Sequence, residues 1–173
     1  MNLKARFFRA LFYLSTATHL RHFRGHGIHS PYAYNLVRNT IYKRNIVGGD
    51  QVLFEAMRTL GMPRRAAVQI QNICHYLHFK GFRIIASAAE VSSFDAGTLY
   101  LTHPNTSIEE MLRIFRGIYR IEGSMIVLFP RSNARRHRLC HRLSKLEEFL
   151  SIDNRRFTLW QFGHKLPKQR YKL

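Results

Sequence analysis

The stretch 94–130 reads FDAGTLYLTHPNTSIEEMLRIFRGIYRIEGSMIVLFP and decides the fold. Two short apolar runs within it, 97–102 and 124–129, are rich in strand formers and predict strands buried on both faces. Between them, apolar residues recur at helical spacing, and Thr106 and Ser107, each with a glutamate three residues later, predict a capping box at the start of this helix. A strand, a helix and a strand joined by short connections predict two parallel strands, so the fold class is α/β.

The loops that follow these two strands define the first candidate site. In open α/β sheets, ligands bind beyond the carboxyl ends of the parallel strands. Here those loops begin with the sequences His103-Pro-Asn and Phe129-Pro-Arg. We therefore expect ligands to bind at this edge of the sheet.

The charge of the chain is strongly basic. Its 173 residues, enough for a single domain with a real core, include 28 lysines and arginines against 10 acidic residues, a net charge of +18. Such an excess predicts attraction to nucleic acid, acidic lipid or acidic protein. A solvated basic surface without a dedicated partner explains the composition equally well.

The cysteines and the N-terminus bear on the cellular compartment. Cys74 and Cys140 do not make a disulfide framework, and no convincing secretion signal is present, so we expect a cytoplasmic protein. The apolar run 10–14 follows basic residues but is far shorter than a membrane span, and we expect no transmembrane segment. It predicts a basic amphipathic helix that packs on the body of the protein or touches a membrane surface.

Residues 1–62 are predicted to form a basic helical region that packs on the core. In this region Ser30 is a predicted N-cap with Pro31 in the first helical position, and apolar residues at 33, 36, 37 and 41 lie on one helix face. Asp50 is predicted to cap a second helix, which Gly61 and Pro63 end.

Residues 63–173 are predicted to form the core itself, within a single domain overall. Besides the central unit, its predicted elements are a strand at 66–71, a helix at 73–79, a strand at 83–87, a basic helix at 133–149, an antiparallel hairpin of strands 150–153 and 156–162, and a basic tail at 164–172. On the basic helix, we expect the leucines to face inward and all the arginines to face water.

Ten histidines raise the question of a metal site. Three groups of metal-ligating residue types stand close in sequence: His19, His22, His26 and His29; Cys74, His75 and His78; and His137, Cys140 and His141. Zinc sites need three or four converging ligands, and glycines interrupt the first group, so we expect surface or packing histidines and no metal site. Walker, Gly-x-Gly-x-x-Gly and Gly-x-Ser-x-Gly motifs are all missing from the sequence.

A set of short segments resembles a known family. They are His29-Ser-Pro-Tyr32, Phe94-Asp95, His103, Ser124-Met-Ile-Val-Leu128, Ser151-Ile-Asp153 and Lys168-Gln169. In this order and spacing they resemble a bacterial family of class I SAM-dependent methyltransferases related to the small-molecule O-methyltransferases. The resemblance covers 29–42 and 94–173. It implies a Rossmann-like methyltransferase sheet, here truncated, with a C-terminal antiparallel hairpin and N-terminal helices.

The chain departs from that family where the family binds its cofactor and metal. The resemblance implies a glycine-rich turn after the first strand, yet 71–75 contains no glycine, and the expected ribose-binding acid has only Glu90 as a weak substitute. Tyr100 and the pair Phe129-Pro130 stand where metal-dependent relatives carry aspartates. The span between 83 and 94 is also too short for the usual third strand. We therefore expect no divalent-metal site and no cofactor.

Three functional hypotheses follow. The first is a methyltransferase-like pseudoenzyme that has lost its SAM and metal sites and acts by binding. The second is a basic nucleic-acid-associated module, with Trp160 and Tyr171 as stacking candidates, although the predicted hairpin favours a buried Trp160. The third is an active methyltransferase with an atypical SAM site, which would use His103 and Asp95 in catalysis and Gln71, Asn72 and Glu90 for the cofactor. The nucleic-acid candidates are Arg131, Arg135, Arg136, Arg138, Arg142, Lys145, Lys168 and Arg170, with Arg155, Arg156, Lys165 and Lys172 beside them.

Overall fold

A computed structural model describes residues 30–146 and 148–173. The predicted amphipathic helix at 10–14 and the first histidine group lie outside the described residues. Within them, three α-helices come first along the chain, and the six strands of one sheet follow, with one further α-helix between the second and third strands and another between the third and fourth. No helix in these ranges combines the length and the apolar character needed to cross a membrane.

The N-terminal helices begin where the sequence predicts. Helix α1 spans Pro31–Leu36 and continues as a π-helical turn, Val37–Ile41. Ser30 is its N-cap, and the Ser30 hydroxyl accepts a hydrogen bond from the Ala33 amide at 3.3 Å. Helix α2 spans Val52–Thr59. Its N-cap position is Gln51, but the Asp50 carboxylate accepts from the first-turn amide of Val52 at 3.1 Å, as a capping acid does.

The strand predicted at 66–71 is wrong, because these residues lie inside helix α3, Arg64–Tyr76. The predicted helix at 73–79 is confirmed in part, because 73–76 form the last turn of this same helix and 77–79 lie beyond its end. Eight consecutive residues of α3, from Ala66 to Ile73, are buried. A helix buried on all sides has no polar stripe, so its apolar run looks like that of a buried strand.

The sheet contains parallel and antiparallel strands. In chain order they are β1 Gly81–Ile85, β2 Thr98–Thr102, β3 Ser124–Leu128, β4 Leu150–Asp153, β5 Phe157–Gln161 and β6 Arg170–Lys172. Their order across the sheet is β1-β2-β3-β5-β4-β6. Strands β1, β2 and β3 are parallel, β5 is antiparallel to β3 and β4, and β6 is parallel to β4. The predicted parallel pair and the predicted C-terminal hairpin are both confirmed.

Two predictions in the C-terminal third need correction. The basic helix, α5, spans Ala134–Ser144 with Asn133 as its N-cap, and it ends earlier than predicted. Leu146, expected to face inward, is therefore past the helix and 51% exposed. The predicted basic tail also contains a strand, since β6 pairs with β4 and seats Tyr171 in the core.

Alternate residues of the strands pack into two cores on opposite faces of the sheet. Leu99 and Leu101 of β2 pack with α1, α2 and α3 on one face. Tyr100 packs with Met111 and Cys140 on the other face, which is covered by α4, Ile108–Arg120, and α5. The described part of the N-terminal region thus shares a core with the sheet. A mixed sheet between two helical layers is compatible with a Rossmann-like fold.

Candidate functional site

The carboxyl ends of the three parallel strands form one edge of the sheet. Ile85 at the end of β1 is in register with Thr102 of β2, and Thr102 is in register with Val127 of β3. Three loops, 86–90, 103–107 and 129–133, therefore meet at this edge. This is where ligands bind in open α/β sheets, so the hydrogen bonds of these loops decide whether a ligand is accommodated.

The backbone donors of the loop after β1 are occupied by two glutamates of the chain itself. The Glu90 carboxylate accepts from the amides of Ala86 at 3.2 Å and Ser87 at 3.0 Å. The Glu110 carboxylate, from the first turn of α4, accepts from the Ala88 amide at 2.7 Å and the Ser87 hydroxyl at 2.8 Å. The Ala88 amide is the main cause of the lowered pKa of Glu110, followed by the Ser87 hydroxyl. Glu90 therefore closes its own loop.

The loops after β2 and β3 are joined by Arg136, which is 1% exposed. Its guanidinium group donates to the Thr102 hydroxyl at 2.9 Å, the Leu128 carbonyl at 3.0 Å and the Thr106 carbonyl at 3.1 Å, with longer bonds to the carbonyls of residues 103 and 104. Its Nε atom is buried and makes no hydrogen bond to the residues that the structure describes. Burial lowers the pKa of Arg136. This arginine ties the edge together from inside.

The expectation that Arg136 faces water is therefore wrong. Because α5 begins at Ala134, positions 136, 140 and 144 lie one turn apart on the face toward the sheet. Arg136, Cys140 and Ser144 are all buried there. Charge alone suggested an exposed arginine, whereas the carbonyls and the hydroxyl at the strand ends satisfy most of its donors in the interior.

The two residues proposed for catalysis lie at opposite ends of β2. Asp95 precedes the strand and accepts from the Gly97 amide at 2.9 Å and the Thr98 hydroxyl at 2.7 Å. His103 follows the strand, and its Nδ1 accepts from the Asn105 amide at 3.2 Å. Five strand residues separate them by roughly 15 Å. The structure does not bring the two side chains into one site.

Gln71 and Asn72, proposed to contact a cofactor, are buried in α3 and hold the preceding loop. The Gln71 amide group accepts from the Phe54 amide at 3.0 Å and donates to the Gly48 carbonyl at 3.3 Å. The Asn72 amide group accepts from the Val47 amide at 2.9 Å and donates to the Asn45 carbonyl at 3.0 Å. Both side chains therefore fasten the segment 45–54 to α3. Glu90 lies elsewhere, after β1.

The positions compared with the family's metal ligands carry no ligand groups of the usual kind. Tyr100 is buried in the core, where its hydroxyl accepts from the Asp95 amide at 2.9 Å. Phe129 and Pro130 follow β3. Among residues 30–146 and 148–173, no three His, Cys, Asp or Glu side chains are close enough to share a metal ion. Burial raises the pKa of Cys140 to about 12, so its thiol stays protonated.

The outer face of α5 is basic along its whole length. Arg135, Arg138, Arg142 and Lys145 are exposed, and their spacing of three, four and three residues places them in one stripe about 15 Å long. In the part of the chain that the structure describes, these four side chains make no hydrogen bond or ion pair. We call them the basic stripe.

Other positive groups extend the basic stripe toward β6. His137 and His141 lie on α5 beside the stripe, and burial followed by nearby cations lowers the pKa of each. Burial also lowers the pKa of Lys172 in β6, and among the cations Arg170 contributes most to this shift. The acidic group in this cluster is Asp153, which forms an ion pair with Arg170 at 3.0 Å. Cations that depress one another's pKa form a region of positive potential.

Besides Arg136, two nucleic-acid candidates, Arg170 and Tyr171, are less accessible than the sequence suggests, whereas Trp160 is buried as the predicted hairpin favours. Arg170 is largely buried in its ion pair, with 11% of its side chain exposed. Trp160 and Tyr171, the stacking candidates, are buried. The Trp160 indole Nε1 donates to the Ser144 hydroxyl at 2.9 Å. Lys168 is exposed in the loop before β6. The accessible basic surface is therefore the stripe on α5 and its neighbours.

Sequence reasoning missed two groups at the sheet edge, Glu110 and the inner role of Arg136. The signal for Glu110 is its position three residues after Ser107, which by itself predicts only a helix cap. Ser107 does accept from the Glu110 amide at 3.2 Å, while the Glu110 carboxylate reaches the loop after β1. Comparison with known proteins adds no relative to this description: no family model, no curated protein and no solved structure matches the chain.

Proposed function

We propose that the protein is a methyltransferase-like α/β protein without turnover that acts by binding, and that its basic stripe binds the phosphate backbone of nucleic acid. The observation that carries this proposal is a contrast between two surfaces. The donors of the β1 loop are occupied by the chain's own carboxylates, while the cations of the basic stripe face solvent.

Loss of cofactor chemistry is supported by what fills the sheet edge. A nucleoside cofactor needs free backbone donors and an acid for its ribose hydroxyls. At this edge, Glu90 is already bonded to Ala86 and Ser87, and Glu110 to Ala88. A ligand at the β1 loop must displace these bonds. The distance between Asp95 and His103 also argues against catalysis by this pair.

Nucleic-acid binding is supported by the arrangement of charge. Exposed guanidinium groups on one stripe of a helix match a row of phosphates, and helix α5 is held rigidly by Arg136 from the opposite side. The helix carries no aromatic stacking group on this face, so we expect backbone contacts without sequence preference. The free thiols of Cys74 and Cys140 support a reducing compartment such as the cytoplasm.

Calorimetric titration with SAM tests the loss of cofactor binding. We expect no heat of binding at micromolar protein and ligand concentrations. Micromolar affinity, together with methyl transfer to a catechol-like or other acceptor, would show instead an active methyltransferase with an atypical site. Glu110→Gln provides a matched variant. Removing the charge of Glu110 weakens the hydrogen bonds that its side chain makes to the loop after β1, while the backbone stays unchanged.

A salt titration tests nucleic-acid binding. Fluorescence anisotropy with a labelled single-stranded oligonucleotide at about 50 mM salt should detect binding, and the logarithm of the association constant should fall linearly with the logarithm of salt concentration. Absence of binding to both DNA and RNA at this salt concentration rejects the proposal. An acidic protein with the same net negative charge as the oligonucleotide serves as a comparison. Binding to this protein, without binding to DNA or RNA, would point to a protein partner.

A further inference from the structure

A pocket of about 310 Å³ opens where the end of β3 meets the turn between β4 and β5. Its lining consists of Phe129, Arg131, Ser132, Arg155 and Arg156. This volume lies at the small end of the range for ligand pockets, enough for a phosphoryl group with part of a nucleotide. The pocket is separate from the β1 loop that the chain occupies with its own glutamates.

Backbone hydrogen bonds fix the two walls of the pocket to each other. The Phe129 amide donates to the Arg156 carbonyl at 2.9 Å, which ties the loop after β3 to the turn of the hairpin. The turn itself is closed by the Asn154 side chain, which accepts from the Arg156 amide at 3.1 Å. Phe129 adopts a left-handed conformation with φ of 46°, which is uncommon for a bulky residue and occurs where surrounding contacts enforce it.

The charges of the pocket match a doubly charged anion. Among the described residues that line it, three of five are arginines and none is acidic. A guanidinium group binds phosphate oxygens with two parallel hydrogen bonds. A terminal phosphomonoester carries a charge of about −1.5 to −2 at neutral pH, whereas each phosphodiester in a strand carries −1. Three arginines around one cavity therefore favour the phosphomonoester.

The pocket also lies next to the basic surface of α5. Arg131 is among the cations that act on His137 and on Lys172, beside the basic stripe. A strand lying along the stripe can thus place its end in the pocket. Resting on the nucleic-acid function proposed above, we propose that this pocket binds the terminal phosphate of a nucleic-acid strand.

Two oligonucleotides that differ only at the 5′ end test the pocket. Both are single-stranded, identical in sequence and labelled at the 3′ end, one with a 5′-phosphate and one with a 5′-hydroxyl, and both are measured by anisotropy at the same salt concentration. We expect wild-type protein to bind the phosphorylated strand about tenfold more tightly. Arg156→Gln should remove this preference. The matched control, Arg138→Gln on the basic stripe, should weaken binding to both strands equally and keep the ratio.

Each result separates the pocket from the function on which it rests. Equal wild-type affinity for both strands overturns the pocket and leaves the basic stripe as the binding surface. An Arg156→Gln variant that keeps the wild-type ratio overturns it as well. If neither strand binds, the proposed function fails, and with it the strand end as the occupant of the pocket. Calorimetry with a nucleoside 5′-monophosphate then tests the phosphate site alone: wild-type binding that Arg156→Gln loses supports a phosphomonoester site at these arginines, and no binding overturns it.

Discussion

Helix α5 carries arginines on two opposite faces, and the two faces differ in what surrounds the guanidinium group. Arg136, on the inner face, is buried and donates to the ends of β2 and β3. Arg138, two residues later, is exposed on the basic stripe. The same residue type therefore organises the interior of the protein on one side of the helix and supplies charge to its surface on the other.

This difference shows that the residues behind the net charge of +18 have two different roles. Part of the charge is needed for folding, because buried carbonyl groups at the sheet edge depend on it. Another part has no structural role in the described residues and is available to a partner. Substitutions on the inner face should change stability, whereas those on the outer face should change binding.

The largest effect is expected from Arg136→Met on the inner face. It leaves the buried carbonyls of Leu128 and Thr106 without their donor, so we expect a loss of about 3 kcal/mol or more in the free energy of unfolding. Urea denaturation followed by circular dichroism measures it. Arg138→Met is the matched control and should change stability by less than about 0.5 kcal/mol. Similar losses for both variants would contradict the distinction between the faces.

The next largest effect is expected from the outer face. Replacing Arg135, Arg138 and Arg142 together by glutamine should weaken oligonucleotide binding about 30-fold at low salt and reduce the salt slope by about 2 to 3. The unfolding midpoint of this triple variant should stay at the wild-type value, because the three side chains make no hydrogen bond or ion pair within the described residues. A variant that loses stability but keeps its affinity would reverse the assignment of the faces.

A smaller effect is expected at the last turn of the inner face. The Ser144 hydroxyl accepts from the Trp160 indole at 2.9 Å and bonds the Ser151 hydroxyl at 3.0 Å, so Ser144→Ala leaves both buried groups without this partner. We expect a loss of about 1 to 2 kcal/mol in unfolding free energy. Denaturation followed by Trp160 fluorescence measures this loss. An unfolding midpoint equal to that of the wild type would show that these hydrogen bonds contribute nothing to stability.

The smallest effect is expected from pH. His137 and His141 have pKa values below the ordinary 6.5, so the folded protein binds their protons less readily than the unfolded chain. Their contribution to stability is present above pH 6.5 and is lost as pH falls through the folded pKa values. A bound polyanion raises these pKa values, so affinity should increase about fivefold between pH 7.5 and 5.5.

The double variant His137→Gln/His141→Gln tests this pH dependence. It should flatten both the stability profile and the affinity profile in this range. A wild-type affinity that is independent of pH would place the bound strand away from these histidines and closer to Arg135.

Local pattern was sufficient for the central unit of the fold but failed in two instructive places. Strands β2 and β3 follow from short apolar runs of strand formers, and helix α4 follows from the helical spacing of its apolar residues. The start of helix α1 follows from the Ser30 cap. A strand is predicted inside helix α3 because burial on all sides removes the periodicity that identifies a helix. The basic tail was mistaken because the pairing of β6 with β4 depends on a partner strand far along the chain.

The sequence by itself determined the α/β class, the parallel central pair, the terminal hairpin and the excess of positive charge. Only the tertiary structure decided which cations are buried, that Asp95 and His103 lie apart, and that Glu110 occupies the β1 loop. The physical reason is the range of the interactions. Periodicity and capping act within one or two turns, whereas the Ser87–Glu110 bond spans 23 residues and the Arg136–Thr102 bond spans 34.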